Sequence, residues 1–176
     1  MTPSRRTFAG LLLGLGTALS GCGWEPLYAN REAGPADAEL RAIRVAPIAE
    51  RVGQRLELAL REAFNPTGVA APEKYVLRVT LQVVRLDLGV QTQGLGTRGR
   101  LDIYANFTLS QSKSGAAITS GSSHAAESFD ILANQYSNVV AEDDARVRAV
   151  DELRRDLVSR LTVVMQHRAA EAGPGA

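Results

Sequence analysis

His124 comes nearest to a catalytic arrangement in this sequence. It lies close along the chain to Ser122, Ser123 and Glu127, the residue types that a serine hydrolase uses as nucleophile and acid. Such an enzyme commonly exposes its serine on a Gly-x-Ser-x-Gly turn, and this sequence has none. The second histidine, His167, comes late in a long helical pattern and fits a solvated helix end. We therefore predict no catalytic residue.

Two further patterns resemble sites for a metal ion or a phosphate group. Three adjacent acids occur in AEDDA at residues 141–145, but neighbouring residues on a helix point in different directions. The glycines of GLGTRG at residues 94–99 join two strand patterns, whereas a phosphate-binding loop is followed by a helix. The prediction is a protein without metal, cofactor or enzymatic activity.

The single cysteine, Cys22, offers a different chemistry, because its thiol is a good nucleophile for alkylation. The small residues Ser20 and Gly21 precede it, after an apolar stretch. The quartet LSGC at residues 19–22 resembles the lipobox of bacterial lipoproteins, in which the cysteine receives diacylglycerol, the peptide is cut before it and the new amino terminus is acylated. The resemblance implies a covalent lipid on Cys22, and several acyl chains hold a domain firmly on a membrane.

Residues 1–21 have the pattern of a signal peptide. A positive start precedes an apolar stretch that is too short to span a bilayer. The sequence SRRTF at residues 4–8 is similar to a twin-arginine export signal, but the next residues depart from it, so this route and the general one both stay open. Gly23 follows the cysteine, in place of the aspartate that retains many bacterial lipoproteins in the inner membrane. The resemblance to lipoproteins therefore implies the periplasmic side of the outer membrane.

The charge of the chain argues against a nucleic-acid partner. Lys and Arg number 20 and Asp and Glu 19, for a formal charge of +1. Loss of Arg5 and Arg6 with the signal peptide leaves 18 basic and 19 acidic residues, a charge of −1. Nucleic-acid binders usually carry a strongly basic surface, so we predict no nucleic-acid partner.

The first elements after the anchor are a tether, a strand and a helix. Residues 22–40 have no apolar period and are predicted to be a tether. Residues 42–48 alternate as a short strand, and residues 50–64 have the apolar spacing of a helix. The helical period returns at residues 137–169, and its apolar stripe comprises Ala149, Val150, Leu153, Leu157, Leu161 and Val164.

Three strands are predicted between the helices. Residues 74–88 alternate, but the phase slips at Val83 and Val84, which is typical of a β-bulge. Residues 89–99 carry four glycines and are predicted to be a loop before strands 100–110 and 117–130. The order β-α-β-β-β-α predicts an α+β two-layer sandwich, in which two helices pack on one face of a four-stranded, mostly antiparallel sheet. The domain would span residues 41–169, with residues 170–176 as a flexible tail.

Two stretches and the order of elements between them resemble the LptE family of lipopolysaccharide (LPS) assembly lipoproteins. CGWEPLY at residues 22–28 is similar to the family's opening. Residues 128–161 are similar to its close, with an aspartate at a strand end, then Asn-x-Tyr, then an acidic helix start. The resemblance implies a non-catalytic outer-membrane lipoprotein that plugs the lumen of the LptD β-barrel, one to one, helps that barrel assemble, and contacts LPS.

Because LPS is anionic at its lipid A phosphates, the resemblance directs attention to arginines. Arg85, Arg98 and Arg100 flank the predicted loop, and Arg78 points outward on the strand before it. We take these four as candidate LPS-contacting residues. The alternative, that they are ordinary solubilising residues of a strand surface, stays open.

Two other functions also stay open. An auxiliary lipoprotein of an ABC-type lipid or solvent transporter would share the anchor and a short α+β domain, but would bind an inner-membrane permease. A lipid-tethered periplasmic hydrolase would use His124 as its base.

Overall fold

A computed structural model describes residues 35–69, 71–90 and 96–171. The signal peptide, Cys22, most of the predicted tether and most of the predicted tail lie outside these residues. The described elements, in chain order, are α1 (Pro35–Arg41), β1 (Ile43–Val45), α2 (Glu50–Phe64), β2 (Tyr75–Val90), β3 (Gly96–Gln111), β4 (Ala117–Asp130) and α3 (Gln135–Glu171).

The four strands form one sheet in the order β1-β2-β3-β4. Strand β1 is parallel to β2, and the other pairs are antiparallel. This confirms the predicted α+β fold with a mostly antiparallel sheet. Helix α1 is an addition, because residues 35–40 were expected to belong to the tether. The helix is short and Leu40 is its one fully buried side chain among those described, so it has too little apolar pattern to be recognised in the sequence.

The core lies between one face of the sheet and the helices. Odd-numbered residues of β2, of β3 and, from Thr119 onward, of β4 point toward it, and even-numbered residues point away, because side chains alternate along a strand. The fully buried large aliphatic side chains come from α2, α3 and the long strands β2 and β3: Leu56, Leu60, Leu153, Leu157, Leu161, Leu77, Leu101, Ile103 and Leu109.

The β-bulge predicted at Val83 and Val84 is wrong. Strand β2 pairs with β3 without interruption from Tyr75 to Leu88, so its side chains alternate regularly between the two faces of the sheet. The shift of register lies instead between β3 and β4, at Leu109 and Ser110. The predicted loop of residues 89–99 is also too long, because the ladder continues to the pair of Val90 and Gly96. These residues pair because an antiparallel ladder continues for as long as both backbones stay extended.

Two glycines in the sheet lie beneath aromatic rings from the neighbouring strand. A Cβ added at Gly99 would overlap three ring atoms of Phe129, and one added at Gly121 would stand 3.0 Å from Cζ of Phe107. The guanidinium carbon of Arg85 lies 5.6 Å from the centre of the Phe129 ring. The missing side chains therefore provide the space in which these rings pack.

We expect Gly99→Ala to lower the free energy of unfolding by about 1–3 kcal/mol, the usual cost of overfilling a packed site. Gly121→Ala is the matched control, and it should cost less because its new methyl group meets Phe107 at 3.0 Å and needs a smaller shift. Urea denaturation of both variants measures the difference. Equal stability of Gly99→Ala and the unmodified protein would contradict the packing described here.

Candidate functional site

Among the described residues, most side chains on the sheet face turned away from α2 and α3 are exposed, and we call this face the open face. Its middle carries amide, hydroxyl and aromatic side chains that are exposed: Thr80, Gln82, Tyr104, Asn106 and Ser122. An uncovered face of an antiparallel sheet normally carries polar residues in this way.

Apolar side chains appear on the open face toward the end of β2. Because β2 has no bulge, Leu86 and Leu88 point away from the core, and they are 45% and 42% exposed. Leu86 is paired with Arg100 and Leu88 with Arg98 on the neighbouring strand. We call these four residues the distal patch. Directly paired side chains in a sheet are close enough to form one surface, so the patch offers aliphatic contact beside two guanidinium groups.

The four candidate arginines do not lie together. Arg78 is on the open face far from the distal patch, and its Nη1 donates to Ser110 Oγ at 3.3 Å. Arg85 is on the helix side of the sheet, where it forms ion pairs with Glu142 at 2.7 Å and Asp87 at 3.2 Å. Arg85 is therefore separated by the sheet from Arg98 and Arg100, although all three flank the predicted loop in the sequence.

A buried carboxylate adjoins the distal patch. Asp102 lies on the open face, yet its side chain is only 5% exposed. Its Oδ1 accepts hydrogen bonds from Arg100, from Nε at 3.2 Å and from Nη2 at 2.9 Å. The same oxygen lies 2.9 Å from Nε2 of His124 on β4. The His124 ring stacks on Tyr104 with ring centres 4.4 Å apart. We call Arg100, Asp102, His124 and Tyr104 the Asp102 cluster.

The hydrogen bond from Arg100 is the main reason that the pKa of Asp102 lies below its ordinary value. The contact with His124 and the charge of Arg100 act in the same direction, and burial opposes them. Asp102 was not among the sequence candidates. Its partner His124 is 22 residues away on another strand, and only the register of β3 with β4 brings them together.

Of the residues considered for hydrolysis, Ser122 shares the open face with His124, whereas Ser123 and Glu127 do not. Ser123 and Glu127 point to the helix side of β4, where Ser123 donates to Asp156 and Glu127 accepts from Arg148. His124 points to the open face and contacts Asp102. Adjacent residues of a strand face opposite sides of a sheet, so Ser123 and His124 are neighbours in the sequence but not in space.

Two further properties concern the described residues as a whole. Within residues 35–69, 71–90 and 96–171, no group of three or more His, Cys, Asp or Glu side chains is arranged to hold a metal ion. In the same part of the chain, no helix is both long and apolar enough to cross a membrane.

Comparison with known families gives a match over most of the chain. Residues 40–162 match the model of the family LptE, described as lipopolysaccharide-assembly. The matched region includes all four strands, α2 and most of α3. No curated protein sequence matches the chain significantly.

Two solved structures share this fold. One is a candidate lipoprotein from Caulobacter crescentus CB15, with 23% identity and a TM-score of 0.61, covering 81% of this chain and 100% of that chain. The other is a minor lipoprotein from Acinetobacter baumannii, with 19% identity and a TM-score of 0.56, covering 70% of this chain and 92% of that chain. At these identities the likeness concerns the fold alone.

The lowered pKa of Asp102 predicts an acid-dependent contribution to stability. A carboxyl group with a depressed pKa stabilises the fold above its unfolded pKa, near 3.9, and this contribution disappears as the pH falls through the folded pKa. We expect Asp102→Asn to be less stable than the unmodified protein at pH 7, with a difference that shrinks below about pH 4. Urea denaturation across this range measures it. The exposed Glu152 provides the control Glu152→Gln, for which the difference should be small throughout.

Proposed function

The chain belongs to the LptE family of lipopolysaccharide-assembly proteins, and from this we propose that it is the lipid-anchored outer-membrane partner of the LptD β-barrel. In this role it carries its acyl chains on Cys22, occupies the barrel lumen in a one-to-one complex, and contacts LPS on its way to the cell surface. It performs no catalysis. The observation that carries the proposal is the family match over residues 40–162, which includes nearly the whole folded domain.

The surface of α3 supports a role inside a barrel. Its buried stripe faces the sheet, and ion pairs join successive turns on its exposed surface and along its flanks, where some of their members also contact the sheet. The lumen of such barrels is polar, so a charged and internally neutralised helix suits it. At 37 residues α3 is about 55 Å long, more than the ~25 Å apolar band of a barrel wall. The pairs are Glu142–Arg146, Asp144–Arg148, Asp151–Arg155 and Asp156–Arg160.

The distal patch is the surface best suited to LPS. Lipid A combines phosphates with acyl chains, and the patch combines Arg98 and Arg100 with Leu86 and Leu88. Guanidinium groups bind phosphate through paired N–H donors. We propose that Arg98 and Arg100 contact the phosphates, and that Arg78 forms a separate contact further along the same face of the sheet.

Arg85 is not part of this proposal as a direct contact. It already neutralises Glu142 and Asp87 on the helix side of the sheet. Arg85 is a candidate for LPS contact in the sequence because it flanks the predicted loop.

The partner is tested by affinity purification of the lipidated, C-terminally tagged protein from detergent-solubilised envelopes. We expect one large outer-membrane β-barrel to co-purify in about equal amount, identified by mass. Recovery of ABC permease or ATPase subunits without a barrel would contradict the proposal and favour an auxiliary role in a transporter. A variant that lacks the anchor residue, Cys22→Ala, shows whether membrane attachment is needed for the complex.

LPS contact is tested with the double variant Arg98→Ala/Arg100→Ala. Hydrogen bonds to charged groups contribute about 1.5–3 kcal/mol each, so the double variant should bind purified LPS at least about tenfold more weakly. Arg155→Ala is the control, since Arg155 lies on α3 and pairs with Asp151. Equal loss in both variants would indicate a general effect of charge and would contradict a defined contact.

A further inference from the structure

We infer that Asp102 is a positioning residue that holds Arg100, and that protonation of His124 weakens this hold, so that the distal patch binds anionic lipid more tightly as the pH falls. The inference rests on the proposed function, because it concerns how the same patch engages the phosphates of LPS. It adds a regulation of that site by a histidine on the neighbouring strand.

One oxygen of Asp102 contacts both Arg100 and His124. Oδ1 of Asp102 accepts from Nε and Nη2 of Arg100 and also lies 2.9 Å from Nε2 of His124. A carboxylate only accepts hydrogen bonds, so the neutral His124 ring donates its Nε2 proton here and leaves Nδ1 without one. A second proton therefore enters at Nδ1.

Protonation changes the charge of the cluster. With neutral His124, the single negative charge of Asp102 balances Arg100, and an incoming phosphate must compete with Asp102 for the guanidinium group. With protonated His124, the same carboxylate serves two cations, and the net charge of the three groups rises from zero to +1. An external anion is then attracted, and Arg100 is freer to meet it.

Arg100 and His124 are accessible to solvent, whereas Asp102, which contacts both, is buried. The side chains of Arg100 and His124 are 43% and 39% exposed, whereas Asp102 is 5% exposed. A ligand therefore reaches Arg100 and His124 directly, and Asp102 transmits the charge of one to the other.

The surroundings of His124 leave Asp102 as its acidic partner in this cluster. From β3 it faces Asp102, Arg100 and the ring of Tyr104. The β2 residues in register with Tyr104 and Asp102 are Gln82 and Val84, which are uncharged. Two arginines of α3 reach the edge of β4 on either side of His124, and both are already paired with carboxylates. Arg148 donates to the carbonyl of Ser128 and pairs with Glu127 and Asp144. Arg160 donates to the carbonyl of Ser122 and pairs with Asp156.

The experiment measures the affinity of the full mature chain in detergent for purified LPS between pH 7.5 and 5.5. We expect the unmodified protein to bind roughly three- to tenfold more tightly at pH 5.5 than at pH 7.5, because protonated His124 adds one positive charge beside Arg100. His124→Gln should lose this dependence. His124→Phe keeps a ring against Tyr104 and should behave in the same way. His167→Gln, at the other histidine, should retain the full dependence.

The variant Asp102→Asn tests whether Asp102 acts by holding Arg100. Without the carboxylate, Arg100 is released at every pH, so this variant should bind at pH 7.5 at least as tightly as the unmodified protein binds at pH 5.5. If Asp102→Asn fails to fold, as checked by circular dichroism, the two His124 variants still test whether His124 causes the pH dependence of LPS binding. Dephosphorylated LPS and competition by inorganic phosphate identify the lipid A phosphates, and not a free anion, as the source of the effect.

The outcomes separate the two proposals. If the unmodified protein binds LPS at no pH, direct LPS contact itself is wrong, and the inference fails with it. If LPS binds and the His124 variants keep the normal pH profile, the role of His124 is wrong and LPS contact stands. Weaker binding by folded Asp102→Asn with an unchanged profile would overturn the positioning role of Asp102.

Discussion

The uninterrupted pairing of β2 with β3 is the constraint on which the rest of this structure depends. From Tyr75 to Leu88 each residue has one partner, and no extra residue resets the alternation. Side chains therefore remain on one face along the whole strand. The odd-numbered residues form the surface against which the helices pack, and the even-numbered residues form the open face with its candidate site.

This constraint explains why the open face is polar in its middle and amphipathic toward the end of β2. The apolar pattern of β2 changes phase near its middle, so the core receives Leu77 and Val79 while the open face receives Leu86 and Leu88. A bulge would have returned these leucines to the core side. The protein instead exposes them beside two arginines.

The helices complete the fold without covering the site. The stripe of α3 packs on the odd-numbered face, and its arginines also reach carbonyl groups at the edge of β4. Exposed edge strands invite pairing with other chains, and such contacts reduce that tendency. The described helices lie on the other side of the sheet from the open face, and α3 contacts part of the edge of β4 beside it. The proposed contact with LPS uses this amphipathic face.

Periodicity in the sequence determined the α+β class, the order of the main elements and the bounds of α2, because these depend on local spacing of apolar residues. Helix α1 was missed, since too few of its residues are buried to produce a period. The site depended on long-range register, which no local pattern contains. Arg85, Arg98 and Arg100 are close in sequence, but the pleat of the sheet sends Arg85 to the opposite side. Asp102 and His124 meet because two strands align across the hairpin that joins them, and only the tertiary structure sets that alignment.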